Sequence, residues 1–239
     1  MGTFVVKGRP TWLGEYDLSL YSPTIAIDYG AEPVDDTVLS DLTRSVQGGL
    51  KTFGFSMDVH NDPTVEGVSF ANVSSNVPLT LGSVDGTAQE VAYLINCYQL
   101  ASNPLSGTVG DMAGMNITGN TQSNLVRGLL EFNGTAVSSS TSTGSQLGFV
   151  TAGKTIYANL HCTAASAADT LDVIVQSDDN SGITSASTRL TFTQVSGGTI
   201  TSQHLSLDGN IANDDYWRIS YTIAGASTSF TFAVSIGIL

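Results

Sequence analysis

Three histidines, two cysteines and one acidic run are the first places to look for chemistry in this sequence. Zinc needs three or four His or Cys ligands converging on one point. His60, His161 and His204 stand far apart, and only His161 has a neighbour of ligand type, Cys162. Adjacent side chains on a strand point to opposite faces, so that pair does not share a metal. The run SDDNSG (residues 177–182) offers oxygen ligands but lacks the twelve-residue spacing and closing Glu of an EF-hand. Asp, Asn, Ser and Gly are also the residues a tight turn selects, and a turn is the better reading. There is no G-x-S-x-G, no P-loop and no G-x-G-x-x-G between a strand and a helix. Ser is abundant, yet nothing marks one out as a nucleophile. Trp12, Trp217 and the tyrosines have rings that stack on sugars, although a Trp in a strand more often fills a core. The sequence therefore predicts no enzyme, no metal and no cofactor.

The charges say more. Against 21 Asp+Glu there are only 8 Lys+Arg, a net charge of −13, and just 12% of residues are charged. Nucleic-acid binding uses clustered cations to displace counterions, and this balance argues against it. It does not exclude lying beside nucleic acid without gripping it. Two of the scarce cations, Arg44 and Lys51, flank a Gly48-Gly49 step at the mouth of an alternating apolar run. Glycine would let the chain turn sharply there before a strand starting at Lys51. Arg44 and Lys51 are candidates to pair with acidic groups at a subunit contact or at the strand entrance; ordinary surface residues at a turn is the equal alternative. Arg218 alternates with Trp217 and Ile219, and either an inter-subunit pair or a solvated position suits it.

Strand signals dominate the chain. Segment 51–59 (KTFGFSMDV) puts Phe53, Phe55, Met57 and Val59 on one face. Segments 155–163, 170–177, 188–194, 216–223 and 229–236 repeat the period of two, separated by turn clusters, which reads as an antiparallel meander or Greek key. One helix is expected after Thr87–Glu90, a capping-box pattern followed by Val91, Leu94, Ile95 and Tyr98 at helical spacing. A strand is expected near Val68. Cys97 and Cys162 are expected as packed thiols rather than a disulfide. No signal peptide or membrane span is evident, and the sequons at Asn72, Asn116 and Asn133 then count as chance matches. At 239 residues the expectation is one domain over 1–239, long enough to bury roughly 70–75% of its unfolded surface. Residues 1–21 read as an arm and 136–146 (AVSSSTSTGSQ) as a mobile loop.

Two segments carry a family resemblance. VDDTVLSDLTRSVQGGLKTFGFSMDVHND (34–62) resembles the stretch of major tail tube proteins of long-tailed, siphovirus-type bacteriophages in which Thr-Arg precedes a Gly-Leu-Lys step into a strand. NDDYWRISYTIAGASTSFTFAVSIGIL (213–239) resembles their closing hairpin. Between them VPLTLGSVDG, VAYLINCYQL, GDMAGMNITG, LVRGLLEFNG and TLDVIVQSDD follow in the family's order, so the resemblance spans most of the chain. It implies an antiparallel β-sandwich with a flanking α-helix, whose hairpins join those of five other copies in an inter-subunit β-barrel. Such hexameric rings stack into a tube that conducts genomic DNA to the host, braced by arms or loops. The implied partners are other copies, a tape-measure protein, and tail-tip and terminator proteins, with DNA passing unbound and no membrane. The implied place is the virion tail, made in the host bacterial cytoplasm. A head decoration or tail terminator protein, and a carbohydrate-binding or adhesin β-domain, are the alternatives.

Overall fold

Alternation of apolar and polar residues decides most of the architecture, which is known from a computed structural model describing residues 9–38, 42–83, 86–121, 123–226 and 228–239. Residues 1–8 of the expected arm, and Ser40 between Arg44 and the strand before it, lie outside the described residues. The strands in the first half are β1 (Thr11–Leu13), β2 (Tyr16–Asp17), β3 (Thr24–Asp35), β4 (Val46–His60), β5 (Asn76–Gly82), β6 (Val91–Ser106), β7 (Gly114–Thr121) and β8 (Val126–Ala136). They are followed by β9 (Ser140–Thr141), β10 (Ser145–Gln146), β11 (Thr155–Ala165), β12 (Thr170–Asp178), β13 (Ser187–Thr191), β14 (Val195–Ser196), β15 (Thr201–Asp208), β16 (Tyr216–Ala224) and β17 (Phe230–Ile238). Among the described residues a single helix, α1 (Pro63–Ala71), interrupts them. The fold is mainly β and every described ladder is antiparallel, as the alternation predicts. The chain gathers into two compact units, residues 9–20, 77–96 and 126–239 in one and 21–76 and 97–125 in the other.

The first unit is a sandwich. One sheet runs β15-β11-β17-β8-β6-β5-β1-β2 and the other β10-β16-β12-β13, with β9 on β16 and β14 on β12. Every second residue of β12 and β16 (Leu171, Val173, Val175, Trp217, Ile219) points into the space between the sheets. Ile156, Ala158 and Leu160 of β11 and Phe230, Phe232, Val234 and Ile236 of β17 meet them there. This is sheet-on-sheet packing built from period-two burial. Trp217 donates its indole N–H to the Gly148 carbonyl at 2.9 Å, and Trp12 is likewise buried, so neither is a sugar platform. Both cysteines are buried thiols. Residues 136–146 lie along β16, with Ser140 and Thr141 opposite Tyr221 and Ser220 and Ser145 opposite Trp217. The SDDNSG segment is a turn: the Asp178 carboxylate accepts the N–H groups of Asp179 and Ser185, and the Asn180 side chain accepts that of Gly182.

The other face of β11 is polar and equally dry. His161 Nδ1–H donates to the Gly14 carbonyl at 2.6 Å, so Nε2 must accept the Thr80 hydroxyl at 2.8 Å. The Thr80 oxygen in turn accepts from Asn159 Nδ2 at 3.1 Å and from the Ser235 hydroxyl at 3.1 Å. Asn159 also donates to the Leu79 carbonyl at 3.0 Å and accepts His204 Nδ1–H at 2.6 Å. A buried network of this kind is tolerable only when each member is satisfied. It binds β1 and β5 to the back of β11 and β17, and it absorbs both histidines that metal chemistry would have wanted.

The expected helix after Thr87–Glu90 is a correction. Gln89 holds a φ of 70°, a left-handed conformation that no helix interior accommodates, and the chain continues as β6. Burial on both faces of β6 (Ala92, Leu94, Ile95 and Cys97) imitates helical spacing. The helix lies elsewhere. Asp62 accepts the Val65 N–H, Pro63 opens the first turn and Glu66 follows three residues after Pro63, so the segment expected as a strand near Val68 is α1.

Desolvation pushes His161 and His204 down to about 4 from an ordinary 6.5, while burial raises Glu131 to about 7 from 4.5. The depressed histidines contribute stability that is full above pH 6.5 and is lost as pH falls toward 4. Raised Glu131 acts oppositely, contributing below pH 4.5 and losing that contribution as pH rises through 7. The two effects partly offset each other in the wild-type chain. Glu131→Gln should therefore lose about 2–3 kcal/mol more than wild type between pH 7.5 and 4.5, measured by denaturant unfolding.

Candidate functional site

Strand β3 borders solvent in an unusual way. It pairs with β4 on one side, and among the described residues nothing pairs with its other edge. Twelve residues long, it is exposed along its length except at Ile25, which is half-buried. A long open edge is a template for pairing with another chain. Its one Pro, Pro33, is tolerated because an edge strand has a side that owes no ladder bond.

The two faces of the sheet β3-β4-β7-β6 differ sharply. Phe53, Phe55, Met57 and Val59 of β4, with Met115 and Ile117 of β7, make a buried apolar face. Helix α1 belongs to this unit, and its buried Ser69 bonds to Ser102 at 3.0 Å and accepts from Gln99 at 2.6 Å through its carbonyl. The register Thr24↔Asp58, Ala26↔Ser56, Asp28↔Gly54 and Gly30↔Thr52 sets the opposite face, and β7 adds Asn116, Thr118 and Asn120. These side chains are small, polar or acidic. Asn116 spans Asp58 and Ser56 at 2.8 and 3.3 Å. In this register no Lys or Arg falls on that face.

The far end of the ribbon carries the predicted cations. Arg44 Nε donates to Asp35 Oδ2 at 2.9 Å across the hairpin end, with side chains 71% and 49% exposed. Hydrogen bonds from Thr37, and then Arg44, hold the Asp35 carboxyl below its usual range. Lys51 lies 5.9 Å from the centre of the Tyr29 ring on the apolar side, not on the polar one. Arg218 belongs to the other unit, half-buried on β16, and donates to Gln176 Oε1 at 2.9 Å. Arg44 and Lys51 thus share one hairpin and Arg218 does not. Leu42 and Leu50 stand 102% and 82% exposed at the same end, a feature that composition alone does not flag.

The Gly48-Gly49 step needs correcting too. Both residues lie inside β4, which starts at Val46 and is already antiparallel to β3 there. Gly49 is required for another reason: a Cβ there would come 2.7 Å from the Glu32 carbonyl oxygen, where β4 bulges and sets both Gly49 and Leu50 opposite Glu32.

No protein-family model and no curated protein sequence matches this chain. Among solved structures it is similar to a chain of the virion of a native gene transfer agent particle, at 13% identity and TM-score 0.41 over 52% of this chain and 97% of that one. A chain from the tail of an empty gene transfer agent particle, refined with C6 symmetry, aligns at 14% identity and TM-score 0.36 over 44% and 80%. The SPP1 Dit protein, described as a paradigm of the hub adsorption apparatus in phages infecting Gram-positive bacteria, aligns at 12% identity and TM-score 0.38 over 98% and 100%.

Gly49→Ala should speed amide exchange in residues 31–34 and 47–50 and leave β11 and β17 unchanged, as read by exchange mass spectrometry. Arg44→Glu should leave the melting temperature of the subunit unchanged, because an exposed pair contributes little; a clear drop in calorimetry would contradict this geometry.

Proposed function

We propose that this chain is a structural subunit of a phage tail, six copies of which close a ring through their β3 edges, the rings stacking into a tube for DNA. The open β3 edge, on a sheet with one buried apolar face and one small, polar, acidic face, carries this reading. Closing a barrel across copies satisfies the edge, and the β3 of one subunit would meet the exposed end of β6 in the next. The apolar face stays inward to the subunit and the polar face lines the bore. Asp28 and Asp58 repel phosphate there, and the lack of cations in this register lets DNA slide without anchoring. The ordered sequence resemblance to tail tube proteins agrees with this geometry. Arg44 and Lys51 would then stand at a subunit contact at the ribbon's end, with Arg218 as a separate contact on β16. Tape-measure, tail-tip and terminator proteins are the partners that such a tube requires.

Electron microscopy of the purified protein, with and without a tail-tip initiator complex, tests this. Six-fold rings or hollow tubes are expected, and Ile27→Asp combined with Leu50→Asp should abolish them while leaving the circular dichroism unchanged. Persistent monomers in the presence of the initiator would point to a decoration or binding module instead. In assembled tubes, Asp28→Lys with Asp58→Lys should create salt-sensitive DNA retention in a filter-binding assay, with none in wild type.

A further inference from the structure

A second feature lies in the sandwich unit and owes nothing to the ribbon. Between Phe132 and Ser235 the β8–β17 ladder slips: Val234 faces Phe132 and Ser235 faces Leu130, leaving Glu131 as the extra residue of a bulge. Bulges re-aim side chains, and this one turns a carboxyl into the protein, where Glu131 is only 1% exposed. Its Oε2 accepts the Ser142 hydroxyl at 2.8 Å; the buried Ser145 hydroxyl also acts on this carboxyl, but neither Glu131 Oε1 nor Ser145 Oγ makes a well-formed hydrogen bond. A buried oxygen in that state is costly and calls for an explanation.

Glu131 lines a cavity of about 360 Å³, within the roughly 300–1,000 Å³ of small-molecule sites. Phe132 and Tyr221 supply aromatic side chains to the lining, and the unbroken hydroxyl run at 140–143 supplies another part of it. Gln89 completes the rim. Its left-handed φ of 70° is a strained choice for a residue with a side chain, and it is held by its N–H to the Leu130 carbonyl and by its Nε2 to the Thr143 carbonyl at 3.0 Å. Strain of this kind gathers at binding sites. Among the described residues no three His, Cys, Asp or Glu side chains converge, so one acid among hydroxyls is poor ground for a metal. Hydroxyl groups, a buried carboxyl oxygen without a well-formed hydrogen bond and aromatic side chains match a polyol ring with hydroxyls at its edge.

We propose that this cavity binds one ring of a neutral saccharide, with a sugar hydroxyl donating to Glu131 Oε1, the ring against Phe132 and Tyr221, and the 140–143 hydroxyls reading its rim. A tail protein with such a site could touch a glycan-coated surface independently of tube formation. The site does not depend on the ring reading, since all of its residues lie in the sandwich unit.

Titration of the ¹⁵N-labelled protein with D-glucose, D-galactose and N-acetyl-D-glucosamine tests it by amide chemical shifts. At least one sugar should give saturable shifts centred on Gln89, Ser142 and Thr143. Glu131→Met removes the acceptor and should weaken binding about tenfold, the loss of one well-made hydrogen bond. Thr141→Trp fills the cavity from an exposed position, keeps the fold and should abolish the shifts. Absence of shifts at these amides with all three sugars, or unchanged binding by Thr141→Trp, would overturn the proposal.

Discussion

A β-strand has two edges and two faces, and folding must find a partner for whatever it leaves dry. Strand β3 pairs one edge with β4, and among the described residues nothing covers the other over its twelve residues. An edge of that kind leaves outward backbone N–H and C=O groups unpaired by the sheet and is a template for another chain. Most proteins blunt such an edge with lysines or cover it. Among the described residues Asp28, Glu32 and Pro33 are blunting devices on this strand, and exposed Leu42 and Leu50 work against them. On the proposed reading, another copy of the chain would supply a strand to this edge and cover the amphipathic sheet behind it.

The sandwich unit solves a different problem, that of a sheet buried on both sides. Strand β17 buries Phe230, Phe232, Val234 and Ile236 toward one partner layer and Ala233 and Ser235 toward the other. The back of neighbouring β11 is held by polar groups instead, because Asn159 and His161 must each find partners where no water reaches. Their network ties loops and strands distant in sequence, Gly14, Leu79 and Thr80, to β11. Such a tie specifies strand order more sharply than apolar contact alone, since a slip of one residue would leave the ring nitrogens of His161 unpaired.

Much of this was legible before any coordinates. The alternations at 51–59, 155–163, 170–177 and 216–223 lie within strands, and 229–236 begins one residue before β17; each sets one face in an apolar core, although β11 and β17 are buried on the other face as well. Residues 188–194 begin in β13 but leave it after Thr191. The helix misassignment has a physical cause: β6 is buried on both faces, which destroys its period of two and leaves a spacing that resembles a helix. The true helix was announced by Asp62, Pro63 and Glu66, a cap, a first-turn proline and a first-turn acid, but its nine residues give little apolar periodicity. Pairing partners of single residues were not readable. Nothing in the sequence puts Arg44 against Asp35, or Glu131 in a bulge, because both depend on register between strands. Strand β3 is not among the segments that alternation singles out, and its exposure depends on the same register between strands.

Amide hydrogen exchange along residues 24–35, measured in the monomer and in assembled particles, bears most directly on the role of β3. If its open edge joins the next copy, the amides pointing away from β4 exchange quickly in the monomer and slow by orders of magnitude on assembly, while those bonded to β4 change little. Assembled particles in which the outward amides still exchange at monomer rates would show that copies meet elsewhere, and that β3 is not the seam of a barrel.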